Sequence, residues 1–204
     1  PNFIANRIGS YAFGQAIRAM QDLDLTIEEV DYLTGPAIGR AKSATFRTAD
    51  LTGVDVCVKV WSNLYDAVPG DPEREVFSAP DFMRTMVERG WLGEKKGVGF
   101  YRKDGAQILA LDWKTLEHRE RRKTKFASVE AAQSVEDVGA RLRQILAAKD
   151  KAAQFLKRGI GFEAAESEDP RHIGLRAMRQ RIELAGGTFG IESSPGNGSI
   201  AWFK

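Results

Sequence analysis

Thr45-Phe46-Arg47-Thr48-Ala49-Asp50-Leu51-Thr52-Gly53-Val54-Asp55-Val56-Cys57-Val58-Lys59-Val60-Trp61-Ser62-Asn63-Leu64-Tyr65 is the stretch on which the fold class turns. It is mostly apolar and β-branched and is broken at Gly53, so by itself it reads as two short strands or as two helices. Its flanks are more decided. Tyr11, Phe13, Ala16, Ile17 and Met20 recur at the spacing of one helical face, which predicts a first helix over Ser10–Met20. Thr26 stands three residues before Glu29, so hydroxyl and carboxylate can satisfy each other's free backbone donors as a capping box. That predicts a second helix to about Leu33, stopped by Gly35-Pro36. On the other side, Pro80 suits the first turn of a helix, where its missing N–H costs nothing. Phe82, Met83, Met86 and Val87 then form an apolar stripe that Gly90 ends.

Leu92-Gly93-Glu94-Lys95-Lys96-Gly97-Val98-Gly99-Phe100-Tyr101 follows, and then Ile108 to Asp112, a short strand or an extended loop. Ser128 and Ser134 open two helical stretches, the second with Val138, Leu142, Ile145 and Leu146 on one face, and the helical pattern ends near Arg158. Beyond it, Gly159-Ile160-Gly161-Phe162 leads into an acidic, Ala-rich segment, Glu163 to Asp169, that reads as a loop. A helix is expected from about Gly174 to Leu184, and two β-patterned stretches, Thr188–Ser193 and Ser199–Phe203, flank the turn signal Ser194-Pro195-Gly196-Asn197-Gly198. Phe13, Met20, Trp61, Met83 and Met86 are expected in the core.

A hydrophobic fraction of 43% suits a packed globular chain, and a net charge of +2, from 30 basic and 28 acidic residues, argues against a binder of nucleic acid that works by neutralising phosphates. The single cysteine, Cys57, has no second thiol to pair with, which points to a reducing, cytoplasmic compartment. No apolar run is long enough for a membrane helix, and no signal peptide is visible. The start without Met is expected to be a cut inside a longer protein.

Three phrases carry a resemblance. Pro1-Asn2-Phe3-Ile4-Ala5-Asn6-Arg7-Ile8 resembles the opening of the C-terminal domain of NAD-dependent 3-hydroxyacyl-CoA dehydrogenases. Gly35-Pro36-Ala37-Ile38-Gly39-Arg40, continuing through Ser43 to Asp50 and Gly53-Val54-Asp55, is similar to the Gly-Pro segment of that family. Leu92-Gly93, Lys95, Gly97 and Gly99-Phe100-Tyr101 match the motif that closes its first helical unit. The resemblance implies a mainly α fold, a helical bundle of the 6-phosphogluconate-dehydrogenase C-terminal-like type, and so settles the ambiguous stretch in favour of helices. It also implies a domain over 1–102. Residues 103–158 resemble the linker and the start of a second helical unit in longer bacterial members.

The family moves a hydride between NAD and the 3-hydroxyl carbon of an acyl-CoA in fatty-acid β-oxidation, and part of its apolar helical surface buries a partner subunit. By resemblance, Asn6 is the amide that helps to fix substrate and catalytic His; its structural alternative is a cap on the first helix. The family's His, its Glu partner and its dinucleotide loop would precede position 1, in a Rossmann domain. A chain of this extent is therefore expected to be the substrate-side, dimerising part, inactive alone, with NAD belonging to the parent enzyme, no metal, and no cofactor of its own. His118 and His172 are expected at the surface. The run Arg119, Arg121, Arg122, Lys123 and Lys125 reads as a solvated linker, and Gly93, Gly97 and Gly99 as a structural turn rather than a phosphate cradle, since no Lys-Ser or Lys-Thr pair follows.

Residues 159–204 resemble something else, the end of a sensor histidine-kinase ATPase domain, where Gly159, Gly161 and Gly174 would flank ATP and its lid. The Asp that reads adenine in that family is Lys157 here, which argues against ATP binding, and Gly159-Ile160-Gly161-Phe162-Glu163-Ala164 lacks the preceding strand that a dinucleotide site needs. The two resemblances meet near Arg158. They leave open a composite interaction module without catalysis, or a kinase remnant, as alternatives to the dehydrogenase reading.

Overall fold

The computed structural model describes residues 4–160, 189–194 and 198–203. The apolar face that starts at Tyr11 belongs to a long first helix, α1 (Ile4–Asp22), which buries Tyr11, Ala16, Ile17, Ala19 and Met20. α2 (Ile27–Thr34) opens on the expected capping box: the Glu29 N–H donates to Thr26 Oγ1 at 3.3 Å and the Thr26 N–H to Glu29 Oε2 at 2.7 Å. Gly35 ends it, and Pro36–Ile38 makes a single 3-10 turn.

The ambiguous stretch is two helices, α3 (Phe46–Thr52) and α4 (Val54–Ala67). Burial explains the choice. A strand would hide alternate valines, yet Val54 is fully buried while Val56 is 41% exposed, and the other buried side chains, Trp61 and Leu64, fall at helical spacing from Val54. Gly53 joins the two helices at φ +103°, a conformation that side chains with a Cβ rarely adopt. α5 (Asp81–Glu88) buries Phe82, Met83 and Met86; Pro80 is its N-cap, one residue earlier than the first-turn position expected. Gly90, at φ +72°, lets the chain reverse so that the Trp91 N–H reaches the Met86 carbonyl at 2.8 Å.

The next segment departs from the sequence reading. β1 (Tyr101–Asp104), β2 (Gln107–Asp112) and β3 (Glu117–Glu120) form an antiparallel three-stranded sheet in the order β1-β2-β3, with Tyr101 opposite Ala110 and Ala110 opposite Arg119. A short strand or an extended loop over Ile108 to Asp112 was expected. The outer two are only four residues long and rich in charge, as edge strands often are, so they carry no apolar alternation to read. Three helices follow: α6 (Ala127–Ala131), α7 (Val138–Leu146) and α8 (Lys151–Ile160). Ser128 lies just inside α6 instead of capping it. Asp137, not Ser134, caps α7 by accepting the Ala140 N–H at 2.7 Å, and the Asp150 carboxylate accepts the Ala153 N–H at 3.1 Å at the start of α8.

β4 (Phe189–Ser194) and β5 (Gly198–Phe203) pair antiparallel, with Phe189 opposite Phe203, as the turn signal implied. The helix expected over 174–184 lies outside the described residues. The fold is mainly helical, with a small sheet.

One hydrophobic cluster runs from Tyr11 to Leu156, so the sheet and α6–α8 share a core with α1–α5, and α8 packs on α1. Its axis is a file of rings: Phe13 with Trp61 at 5.0 Å, Phe13 with Phe46 at 5.9 Å, Phe46 with Phe100 at 4.7 Å and Phe82 with Trp113 at 6.2 Å. Each such pair adds about 0.5–1.5 kcal/mol to what burial contributes. The expected core residues are in place, with Met20, Trp61, Met83 and Met86 buried and Phe13 half-buried against them.

The turn from Gly93 to Gly99 closes on α3 with no space to spare. A Cβ on Gly93 would strike the Asp50 backbone, and Gly93 itself sits at φ +91°. Gly93→Ala should therefore lower stability by about 2–5 kcal/mol, overpacking and left-handed strain adding together. Chemical denaturation checks this, and Gly97→Ala, with nothing near its Cβ, isolates the strain from the clash.

Candidate functional site

Asn6 is an exposed residue of the first turn of α1, beside a pocket of about 670 Å³. Ile8, Phe13, Val60 and Trp61 supply apolar lining from α1 and α4, while Thr45 and Thr48 of the segment that opens α3 bring hydroxyls. The Trp61 indole is held by donating to the Ser10 carbonyl at 3.0 Å. Thr48 Oγ1 is engaged with the Ala44 carbonyl at 2.7 Å and with Ser43 Oγ, and Thr45 Oγ1 donates to Thr34 at 2.8 Å. The Asn6 amide makes no hydrogen bond among the described residues. As the helix begins at Ile4, Asn6 lies inside it and is not its cap. The site therefore combines an apolar cavity with a neutral amide that has no partner among the described residues and that donates and accepts without titrating. Cys57 also lines it, but burial and then the nearby Asp55 push its thiol up to about 11, so it is protonated and a poor nucleophile at neutral pH.

Two aspartates that the sequence reading passed over fix the walls. The Asp31 carboxylate accepts the N–H groups of Thr45 at 3.0 Å, Phe46 at 2.6 Å and Arg47 at 3.1 Å, and the Tyr101 hydroxyl at 2.8 Å. Thr45 makes no side-chain cap of its own, so a carboxylate 14 residues upstream caps α3. Asp50 accepts the N–H groups of Phe100 at 2.8 Å and Tyr101 at 2.9 Å, tying α3 to the glycine turn and β1. Burial outweighs these hydrogen bonds and raises both carboxyls to about 6, and the two repel each other. No local pattern signals either residue, because their partners are distant in sequence.

Other expected positions are revised. His118 is not a surface residue: it sits on β3, half-buried, with Nε2 2.9 Å from the Gly99 carbonyl and its ring 5.1 Å from Trp91, and burial lowers its pKa. Arg119 does not belong to a solvated linker. Its guanidinium donates to Glu28 Oε1 at 2.6 Å and Oε2 at 3.4 Å, and Glu28, which also accepts the Arg122 N–H at 3.1 Å, is only 2% exposed. His172, Gly161 and Gly174 lie outside the described residues. The glycine turn is structural as expected: a Cβ on Gly99 would meet the Asp50 carboxylate, which accepts the Phe100 N–H there. The turn thus does not fit a dinucleotide. None of the described helices is long and apolar enough to cross a membrane.

The model of the family described as "3-hydroxyacyl-CoA dehydrogenase, C-terminal domain" matches residues 3–103. These residues, just under half of the chain, are similar to that domain. A "Probable 3-hydroxyacyl-CoA dehydrogenase" of Bacillus subtilis (strain 168) is 46% identical over 215 aligned residues, spanning 91% of this chain and 27% of the relative. One with the same description from Deinococcus radiodurans is 48% identical over 103 residues, 50% of this chain and 29% of the relative. A "Probable 3-hydroxybutyryl-CoA dehydrogenase" of Deinococcus radiodurans is 28% identical over 102 residues, 50% of this chain and 35% of the relative. The chain therefore spans 27% to 35% of the length of these relatives. Asn6, Asp31, Asp50, the glycine turn and Tyr101 all lie inside the family domain. The Bacillus subtilis match continues beyond it and past Arg158, since residues 1–158 make up about three-quarters of the chain.

The raised carboxyls give a pH dependence of definite sign. With a folded pKa of about 6 against an ordinary 3.8, Asp50 binds its proton more tightly folded than unfolded. Its contribution to stability therefore grows as pH falls from about 7 to about 4 and is lost as pH rises through 6. Asp50→Asn cannot titrate, so its deficit relative to wild type, about 1–3 kcal/mol at neutral pH for a disrupted buried acceptor, should widen towards pH 4. Urea denaturation across that range measures it; a deficit that narrows on acidification would contradict the assignment.

Proposed function

We propose that this chain is the substrate-side helical domain of an NAD-dependent 3-hydroxyacyl-CoA dehydrogenase, with Asn6 positioning the acyl-CoA substrate. The observation that carries this reading is the free Asn6 amide at an apolar pocket inside a domain of that family. In such an enzyme NAD accepts or donates the hydride, and it would be held by a Rossmann domain together with the catalytic His and its Glu partner. The residues here bind and orient. Phe13, Val60 and Trp61 exclude water from the acyl portion, and the Asn6 amide can hydrogen-bond a substrate oxygen or the incoming His without changing its charge. Because cofactor and base come from elsewhere, the chain alone should not turn over substrate.

Leu51, 57% exposed on α3, and Val56, 41% exposed at the rim of the pocket on α4, extend the apolar surface outward and suit burial against a second subunit. Val56→Glu should then shift the chain towards monomer in sedimentation velocity with its thermal transition unchanged. The segment from Gly159 onward has no role in this reading.

The test is calorimetric. Acetoacetyl-CoA should bind the chain, and Asn6→Ala should weaken binding by about tenfold, as expected when one polar partner is lost. NADH-coupled turnover by the chain should stay at the buffer rate. Absence of binding heat at millimolar ligand would overturn the proposal, as would an Asn6→Ala affinity equal to wild type.

A further inference from the structure

A second cavity, of about 840 Å³, opens on the opposite side of the Thr34–Thr48 segment. Its walls come from α2, the 3-10 turn at Pro36, β1 and β2, the chain after β3, α6 and α7. Ile108, Arg121, Val129 and Arg141 lie beyond residue 103, so the matched family domain supplies only part of it.

The charges in this cleft do not cancel. Its acids are committed: Glu28 to Arg119 at 2.6 Å, Glu94 to Arg47 at 2.9 Å, and Asp31 to three backbone N–H groups and the Tyr101 hydroxyl. Lys42, Arg102, Lys103 and Arg121 have no carboxylate partner among the described residues. Arg141 spends its donors on the carbonyls of Ala37 at 3.0 Å and Val135 at 3.1 Å, which leaves its charge uncompensated. Like charges gathered in one concavity focus a positive potential that an anion relieves. Beside them is apolar surface: Ile108 is 51% exposed and lies directly across the ladder from Lys103, and the Arg121 guanidinium stands 5.5 Å from the centre of the Tyr101 ring.

We propose that this cleft binds an organic phosphate, with Arg102, Lys103 and Arg121 holding the phosphates and Tyr32, Ile108 and Val129 taking the apolar or aromatic portion. The volume falls in the range of about 300–1,000 Å³ that small-molecule sites occupy. Arginine supplies a planar fork of donors that matches phosphate, and its face stacks on rings. The chain's net charge of +2 disfavours a nucleic-acid surface and favours a local site of this kind. If the reading of the neighbouring pocket as an acyl-CoA site holds, on which this last step rests, the phosphorylated nucleotide end of the thioester is the ligand of that chemistry.

Calorimetry of the full chain with adenosine 3′,5′-bisphosphate, ADP and unphosphorylated adenosine tests this. The two phosphorylated probes should bind, adenosine should bind at least about tenfold more weakly, and Arg121→Gln or Arg102→Gln should each cost about tenfold, as loss of a charge-assisted hydrogen bond does. Added salt should weaken both phosphorylated probes. Bisphosphate binding tighter than ADP identifies the coenzyme end as the source, and equal binding identifies nucleotides generally. Absence of heat from either probe at millimolar concentration overturns the proposal, as do dissociation constants unchanged in the arginine variants, or binding of an oligonucleotide without binding of the mononucleotides. Asn6→Ala should leave bisphosphate binding intact. Should acetoacetyl-CoA fail to bind while the bisphosphate still binds through Arg121, the acyl-CoA reading falls and the phosphate site stands.

Discussion

Two aspartates, Asp50 buried and Asp31 half-buried, are the constraint from which the rest of the architecture follows. Asp50 accepts two successive N–H groups at the head of β1, and Asp31 accepts three at the head of α3 together with the Tyr101 hydroxyl. Taking two carboxyls out of water is costly, and their raised pKa values record that cost. It is tolerated because each carboxyl satisfies backbone donors that would otherwise be orphaned at a helix start and a strand start. The geometry leaves little freedom. α3 must stand where both α2 and the glycine turn can reach it, and Gly93 and Gly99 must lack side chains because Asp50 fills that space.

That brace also positions residues that line two of the cavities. The start of α3 is pinned by Asp31, and the segment from Thr34 to Thr48 contributes Thr45 and Thr48 to the apolar pocket and Arg47 to the basic cleft. The two differ in chemistry because their outer walls differ. α1 and α4 offer aromatic and aliphatic side chains with the Asn6 amide, whereas β1 and the chain after β3 offer cations without a carboxylate partner among the described residues.

Residues beyond 103 are integral to the structure. Phe126, Val129, Ile145, Phe155 and Leu156 enter the same core as α1–α5, and Arg119 closes a bidentate pair on Glu28 of α2 across 91 residues. Glu28 is nearly inaccessible, so removing the arginine would leave a buried carboxylate without its counter-charge, which is far worse than losing an exposed pair. The family domain and the segment after it are thus joined by electrostatics as well as by apolar contact.

Local signals were readable wherever cause and effect lie within a few residues. The capping box at Thr26, the helical face of α1, the stop at Gly35 and the hairpin flanking Ser194–Gly198 could be read directly, and the motifs around Asn6, Gly35-Pro36 and Gly93–Tyr101 pointed to the family. Short elements rich in charge could not be read. β1 and β3 have no apolar alternation, and α6 opens on Phe126 and α7 on Asp137 instead of on the serines that looked like helix openers. The motif around Asn6 was legible, but the cavity beside that residue was not, since its lining comes from α1, α4 and the segment before α3. Asp31, Asp50, the burial of His118 and the Arg119–Glu28 pair were invisible for the same reason. The sequence by itself determined the helical periods, the turns and the family motifs, because these depend on neighbours along the chain. Tertiary structure alone decided which carboxyls are buried, which cations stay unpaired and where the cavities open, because these depend on groups tens of residues apart that meet only when the core closes.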